Sequence, residues 1–383
     1  MTYHSFFSIF VSISNIIKFY IMKQLLWSLL FYLSIGMISA QQTVPQETME
    51  QIYQEIKTPH KYGLVILPPN SSDMIDSPTL FKEGDTWYMT YIIFDGRGYE
   101  TWMATSQNLL DWETQGRIMS YDDTRWDKNQ VAGYPALINT EWGGNYQYPS
   151  FNKRYWMSYL GGDTRGYEAG VLSVGMAYTK KKPSIVHEWE RFDAPILQIT
   201  DKDAGWWENN TIYKSGIIWD RTKTTGSPFV MFYNAKGESL PDHKRAERIG
   251  IAFSDDMVTW KRYDKNPVLD HHKGITGDAY IQKINDVWVM FYFGAAWGDH
   301  PKGAFNHFAC SYDLLNWTDW NGPHLIQPSE SYDDRYAHKS CVVKWNGVVY
   351  HFYCAVNKKN QRSIAVATSK DLGKSKISFP DNK

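Results

Sequence analysis

The sequence predicts an all-β protein, a five-bladed β-propeller with a short N-terminal helix, and three observations carry that expectation. Hairpin-forming segments that alternate apolar and aromatic residues around polar turns recur five times. A second phrase recurs after the hairpins: "MATSQNLLDWE" from Met103, then "GMAYTKKKPSIVHEWE", "GIAFSDDMVTWKR" and "FACSYDLLNWTDW". These phrases share the order small residue, apolar residue, Ser or Thr, charged turn and Trp. Finally, a unit of three or four antiparallel strands cannot bury both faces alone, so copies must stack, and radial stacking of such sheets is the propeller. A β-sandwich gives no reason for fivefold recurrence, and the period of two excludes a helical solenoid.

Residues 1–40 read as an upstream segment followed by a secretory signal peptide. The stretch that begins "MKQ" at Met22 runs apolar from Leu25 to Ile38 and closes Ile38-Ser39-Ala40, the small-residue pattern of a cleavage site, so Met22 is the expected start. A membrane anchor built from "FFSIFVSISNIIKFYI" and "LLWSLLFYLSIGMISA" is the competing reading. Each is short for a spanning helix, and Lys18 and Lys23 split them. The mature chain is therefore expected to be periplasmic or secreted, with no membrane association after cleavage. Residues 41–60 form a helical extension, in which "QETMEQIYQEIK" reads as an amphipathic helix that stops at Thr58-Pro59.

Residues 61–383 form the propeller. Its hairpins begin at Ile75, Ala132, Trp207, Thr276 and Ala337, and the tightest turns are Gly84-Asp85, Asn285-Asp286 and Asn346-Gly347. The third strand of the fifth unit is the degenerate "SIAVATSKDLGKSKISF". Asp111 and Trp112 of the opening phrase belong to the outer edge of the first unit, where they turn and pack the sheet.

Composition narrows the partner. The 383 residues carry a formal net charge of −1, which excludes a nucleic-acid glove or a polybasic membrane surface. Aromatic content of 16% with 17 Trp and 26 Tyr supplies strands and also flat platforms for a ligand. Cys310, Cys341 and Cys354 match no zinc pattern. One disulfide and buried free thiols both remain open. No Gly-x-Ser-x-Gly elbow, phosphate loop or His-Glu-x-x-His is present.

In a propeller the first strand of each blade lines the channel, so residues opening those strands converge. Aligned on turn and second strand, the openers are Asp76, Gly133, Glu208, Gly277 with Asp278, and His338. Several ionisable groups on one ring shift one another's pKa and point to chemistry. A second repeat, "DGRGYE" (95–100) and "DTRGYE" (163–168), follows the second strands of blades one and two. Arg97 and Arg165 are candidates to bind sugar hydroxyls or a carboxylate, with an Asp-Arg brace between blades as the equal alternative. Tyr134, Trp207 and Trp297 are candidate stacking platforms.

This layout, with Asp76 opening blade one, Glu208 opening blade three and "AHKSCVVKWNGVVYHFY" in blade five, resembles the five-bladed propeller glycosidases of glycoside hydrolase family 43 and its relatives. The resemblance covers about residues 61–380 and rests on architecture and rim positions more than on identical strings. It implies an exo-acting, inverting hydrolase of oligosaccharides from plant or algal polysaccharide, of β-xylosidase or α-L-arabinofuranosidase type. It further implies Asp76 as general base, Glu208 as general acid, and His338 under the sugar or near a central ion. Inversion needs two carboxyls roughly 6.5–9.5 Å apart so that a water fits between them. No cofactor is implied beyond a structural cation in the channel.

Two departures from the family pattern matter. Ser77 separates Asp76 from Pro78, and Gly133 stands where the family has a third Asp on blade two. Asp278 on blade four is the expected substitute. Together with His338 it resembles family 117, in which a His is the proposed acid, so His338 is the alternative acid. A non-catalytic carbohydrate-binding propeller and a propeller phosphorylase using Lys339 or Arg335 are the competing functions.

Overall fold

The computed structural model describes residues 43–237, 246–298 and 303–380. The upstream segment and signal peptide expected at 1–40 lie outside the described residues. Among those described, no helix is long and apolar enough to cross a membrane.

One α-helix, α1 (Gln46–Ile56), opens the described chain and buries Met49, Ile52 and Ile56, the i, i+3, i+7 stripe of an amphipathic helix. Tyr53 on the same helix stacks on Trp320 with ring centroids 5.1 Å apart. The helix ends as expected before Thr58-Pro59, with Lys57 already extended.

Twenty strands follow: β1 (His60–Ile66), β2 (Met74–Glu83), β3 (Thr86–Phe94), β4 (Tyr99–Ser106), β5 (Glu113–Met119), β6 (Gln130–Pro135), β7 (Tyr155–Gly162), β8 (Ser173–Thr179), β9 (Glu190–Arg191), β10 (Thr211–Trp219), β11 (Phe229–Lys236), β12 (Glu247–Ser254), β13 (Lys261–Arg262), β14 (Ile275–Ile284), β15 (Val287–Ala295), β16 (Ala304–Ser311), β17 (Thr318–Asp319), β18 (Tyr336–Trp345), β19 (Val348–Val356) and β20 (Arg362–Thr368). Antiparallel pairing groups them into sets of four: β2 to β5, β6 to β9, β10 to β13, β14 to β17, and β18 to β20 with β1. The fifth set takes its fourth strand from the start of the chain. That explains why "SIAVATSKDLGKSKISF" reads as degenerate: its partner strand lies some 300 residues earlier, at His60↔Thr368 and Ile66↔Ile364.

Apolar clusters join the sets in a cycle. Phe81 and Met103 of the first set pack with Val131 and Tyr159 of the second. Trp156 and Val174 of the second pack with Ile212 and Met231 of the third. Val230 and Phe232 of the third pack with Met290 and Tyr292 of the fourth. Phe291 and Phe308 of the fourth pack with Val342 and Tyr353 of the fifth, and Cys341 and Phe352 of the fifth return to Leu80 and Met89 of the first. Each sheet therefore covers both faces by using its neighbours.

The tight turns fall where the sequence predicts them, with Gly84, Asn285 and Asn346 at φ +57°, +53° and +49°. The Trp-ended phrase is a turn motif between the third and fourth strands. Ser106, Ser254 and Ser311 each accept the amide of the residue three further on at 2.9 Å, holding Leu109, Met257 and Leu314 at φ +66° to +69°. The following Trp112, Trp260 and Trp317 donate their indole N–H to the carbonyls of those same residues. The phrase thus spends its polar groups on its own backbone.

The three cysteines are buried free thiols, so the disulfide reading is corrected. Cys310 on β16 and Cys341 on β18 stand among apolar neighbours, whereas Cys354 on β19 lies beside Asp76 and His338.

Candidate active site

A cavity of about 410 Å³, the size of a small-ligand pocket, is lined by residues from all five sets, the first contributing through β3 and β4 rather than through β2. Its walls include Tyr99, Tyr134, Tyr167, Tyr213 and Phe293, and its ionisable groups are Glu168, Lys214, Glu247, Asp278, His338, Lys339 and Arg362.

The inner strands aim these groups by a shared irregularity. In β2, β10, β14 and β18 the register slips by one residue, after Asp76, Ile212, Gly277 and His338 respectively. The extra residue is a β-bulge, which bends the strand and re-aims side chains. Ser77, Asp278 and Lys339 occupy the bulges with φ +50°, +56° and +63°, an unfavourable conformation for residues with a Cβ. β6 has no such slip. At Gly133 a Cβ would approach Met157 Sδ to 2.5 Å and Met119 Cε to 2.4 Å, so any side chain there would displace these two methionine ends.

Asp76 is buried below the cavity and does not line it. Its Oδ2 accepts from Lys339 Nζ at 2.8 Å and from Arg362 at 3.1 Å, and its Oδ1 accepts from the Ser77 amide at 2.9 Å. Burial opposes its ionisation, but the Lys339 and Arg362 charges outweigh burial and hold the carboxyl well below the usual range. Arg362 also donates to the Tyr167 hydroxyl at 2.9 Å.

Glu168 and Glu247 are the cavity carboxyls with the opposite tendency. Glu168 stands on the loop after β7 at φ +49°, with Tyr99 donating to it at 3.3 Å and Lys339 Nζ 3.9 Å away. Burial raises its pKa, Lys339 pulls the other way, and the charges of Asp76 and Asp278 add to the rise. Glu247 opens β12, and Asn234 donates to it at 3.4 Å. Burial and the Glu168 charge push its carboxyl up to about 8. One cavity therefore holds a carboxylic acid that keeps its proton at neutral pH, a pairing that general acid catalysis needs.

The remaining expectations sort by place. Asp278, His338 and Tyr134 line the cavity. His338 places Nδ1 3.2 Å from the Cys354 carbonyl, and burial pushes its pKa down to about 3. It is therefore neutral at physiological pH, and without the imidazolium form it is not poised to serve as the alternative acid.

Glu208 lies in the turn before β10, outside the cavity lining. Its carboxylate accepts from Arg262 Nε at 2.9 Å, the Tyr233 hydroxyl at 3.2 Å and the Gly205 amide at 3.1 Å. The alignment misplaces it because the hairpin of β10 and β11 has a long turn, closed by the Asp220 amide on the Pro228 carbonyl and capped by the Asp220 carboxylate on Thr222. Tyr213 and Lys214 hold the corresponding ring position. Glu208→Gln is thus expected to lower the melting temperature, by weakening the Arg262 contact, while leaving kcat within a few-fold of wild type; a steady-state assay beside a thermal melt checks it.

Trp207 packs inside on Tyr233, ring centroids 5.4 Å apart, and Trp297 donates to the Ile275 carbonyl while stacking on His271 at 4.0 Å. Neither lines the cavity. Arg97 is a brace, bonded to Asn129 at 2.7 Å, the Lys128 carbonyl at 2.9 Å and the Asp123 carboxylate. Arg165 is exposed on its loop. The repeated "RGYE" nevertheless reaches the site through its tyrosines: Tyr99 and Tyr167 both line the cavity, rings 5.8 Å apart, and Gly166 N–H on the Arg97 carbonyl joins the two copies.

The expected structural cation meets a direct test. Among the described residues, Asp76, His338 and Cys354 hold ligand-type atoms within 4.8 Å of one another. Lys339 and Arg362 already place two positive charges on Asp76, and burial pushes the Cys354 thiol well up, away from thiolate. A divalent cation there would face like charges and a protonated sulfur, so these residues do not fit it.

No family model matches the chain, and no curated protein matches it. Solved structures do. One described as a glycoside hydrolase is 55% identical over 89% of this chain and 100% of its own, with a TM-score of 0.87. Another, described as a complex of BT0996 and RGII, is 56% identical over the same shares, also at a TM-score of 0.87. A thermostable family-43 glycoside hydrolase, 15% identical over 83% of this chain and 100% of its own, has a TM-score of 0.57 and shares the fold alone. The all-β architecture is that of propeller glycosidases. With 55% identity across the full length of a glycoside hydrolase, this chain belongs to the glycoside hydrolases and is a glycosidase.

Proposed function

We propose that the protein is an exo-acting hydrolase that removes a terminal sugar from pectic oligosaccharides, using Glu247 as general acid and Glu168 as its carboxylate partner in the central cavity. The observation that carries this reading is the pair itself: two glutamates line one cavity, and Glu247 stays protonated up to about pH 8. The five four-stranded sets are proposed as the blades of a closed propeller, a reading supported by the cyclic order of the apolar clusters.

In the reaction, the Glu247 proton passes to the glycosidic oxygen as its bond to the anomeric carbon breaks. Glu168 takes a proton from the water whose oxygen bonds to that carbon. The products are a free sugar and the shortened oligosaccharide, with Glu168 protonated and Glu247 ionised until solvent resets both. Inversion is the outcome implied by the family-43 resemblance. Aromatic walls suit the sugar faces, and a cavity lined from all five sets suits a chain end better than a chain interior.

The pectic source rests on the 56% identical BT0996 structure and its RGII complex. The terminal sugar is proposed to be a pentose, as in arabinofuranosidase or xylosidase activity. The location, periplasmic or secreted, rests on the apolar run and small-residue site that end at Ala40.

The test is incubation of the mature chain with rhamnogalacturonan II oligosaccharides in phosphate-free buffer. Released monosaccharide is measured by chromatography, and its first-formed anomer by proton NMR. Turnover that requires inorganic phosphate, or release of internal fragments only, overturns the reading.

A further inference from the structure

Lys214 differs from the other cations of the cavity in its partners. Lys339 and Arg362 both spend hydrogen bonds on Asp76. Among the described residues, Lys214, on the bulge of β10, has an ion-pair contact of 3.6 Å with Asp278 Oδ2 as its only charged partner, and its buried Nζ makes no hydrogen bond. The side chain is 7% exposed. Its other neighbour is the Tyr134 ring, 5.3 Å from Nζ to centroid. A buried ammonium without hydrogen bonds is costly unless something completes it. Lys214 and Tyr134 line both the central cavity and a narrower space adjoining it, so they form the floor where the two meet.

Beside Lys214 stands an acceptor aimed at the same floor. Asp278 is held at φ +56° on the bulge of β14, with its amide on Asn234 Oδ1 at 3.4 Å and one carboxylate oxygen receiving Ser77 Oγ at 3.3 Å. Strain of this kind persists where the surroundings over-determine the residue, and it clusters at ligand clamps. An ammonium that only donates and a carboxylate that only accepts, 3.6 Å apart, match two adjacent hydroxyls, each of which does both.

We propose that Lys214 and Asp278 are the specificity-determining pair that recognises a neutral vicinal diol on the terminal sugar, Lys214 donating to one hydroxyl and Asp278 accepting from its neighbour. This rests on the hydrolytic reaction occurring in the same cavity. The pair binds the end of the sugar remote from the scissile bond, which makes hydrolysis exo and sensitive to substitution at those two hydroxyls.

The test uses the full chain with the 4-nitrophenyl pentoside that wild type cleaves fastest and the monodeoxy analogues of that substrate. Lys214→Met is expected to lower kcat/KM by about 10- to 100-fold. It should also lose the wild-type discrimination against the one analogue that lacks the Lys214-bound hydroxyl. Asp278→Asn should do the same for the adjacent position. A purely structural role would lower activity while keeping both discriminations. Should Lys214→Met misfold, Lys214→Gln, which keeps a donor, carries the same comparison. Unchanged kcat/KM and unchanged discrimination in these variants overturn the proposal. If Glu247→Gln retains wild-type turnover on an oligosaccharide, whose leaving group needs the proton, the hydrolytic reading itself is at fault. If wild type cleaves no pentoside, calorimetric titration with L-arabinose and D-xylose replaces turnover: weaker binding in Lys214→Met supports the pair, and equal or absent binding overturns it.

Discussion

Glu247→Gln is expected to lower kcat by about 10²- to 10⁴-fold, the contribution of one positioned proton donor. The amide keeps the shape and the Asn234 contact but has no proton to give to the leaving oxygen. Wild-type kcat/KM should show an alkaline limb near pH 8, where Glu247 loses its proton, and an acid limb above the ordinary carboxyl range, set by Glu168. A substrate with a nitrophenolate leaving group needs less protonation, so the variant should lose less on it than on an oligosaccharide. Stability moves the other way. Because the folded pKa of Glu247 is raised from 4.5 to about 8, folding favours the protonated form, and its contribution fades as pH rises from 4.5 through 8. The glutamine variant should therefore melt higher than wild type above pH 8 and equally at pH 4. Full activity in Glu247→Gln, or an alkaline limb unmoved by it, would exclude the residue as the acid.

Asp76→Ala is expected to cost about 3–5 kcal/mol of stability, because removing one partner of a buried ion pair leaves the others uncompensated. Here Lys339 and Arg362 would face each other with no anion between them. Activity should fall together with stability, since Lys339 also approaches Glu168 and Arg362 holds the Tyr167 hydroxyl. The sign of the pH effect follows from the depressed pKa. Asp76 contributes stability above its unfolded value near 3.8, and that contribution is lost as pH falls toward its folded value. Wild type should therefore lose thermal stability below about pH 4 more steeply than Asp76→Asn. This separates two roles: a general base would lose kcat with the melting temperature unchanged, whereas a positioning residue loses both. Combining Asp76→Ala with Lys339→Met should recover part of the stability, as the buried charge is removed with its partner.

The fold was legible because its signals are local and repeated. Alternation, three tight turns and the Trp-ended phrase survive in the sequence since each is satisfied within a few residues, as when Ser254 caps Met257. The site was legible where a cavity residue stands at or beside an aligned ring position of an inner strand, which is the case for Tyr134, Asp278 and His338. Glu208 misled because alignment on the second strand cannot count residues through the long turn after Trp219. Lys214 was missed because a bulge adds one residue that no periodic pattern announces. Glu168 lay inside the repeated "DTRGYE" but was overshadowed by its arginine. Glu247 opens the third strand of its set, a position the inner-strand rule does not consider.

By itself, then, the sequence determined an all-β chain of repeated hairpins, a short helix before them, and an inward ring that carries Asp278 and His338. These follow from side-chain period and turn chemistry, which act over short separations. Tertiary structure alone decided the roles of the charges. It pairs Asp76 with Lys339 and Arg362 across more than 260 residues, neutralises His338 by burial, and raises Glu247 beside Glu168. A carboxyl's protonation depends on what burial and its neighbours do to its charge, and those neighbours are brought together only when the sheets pack around the cavity.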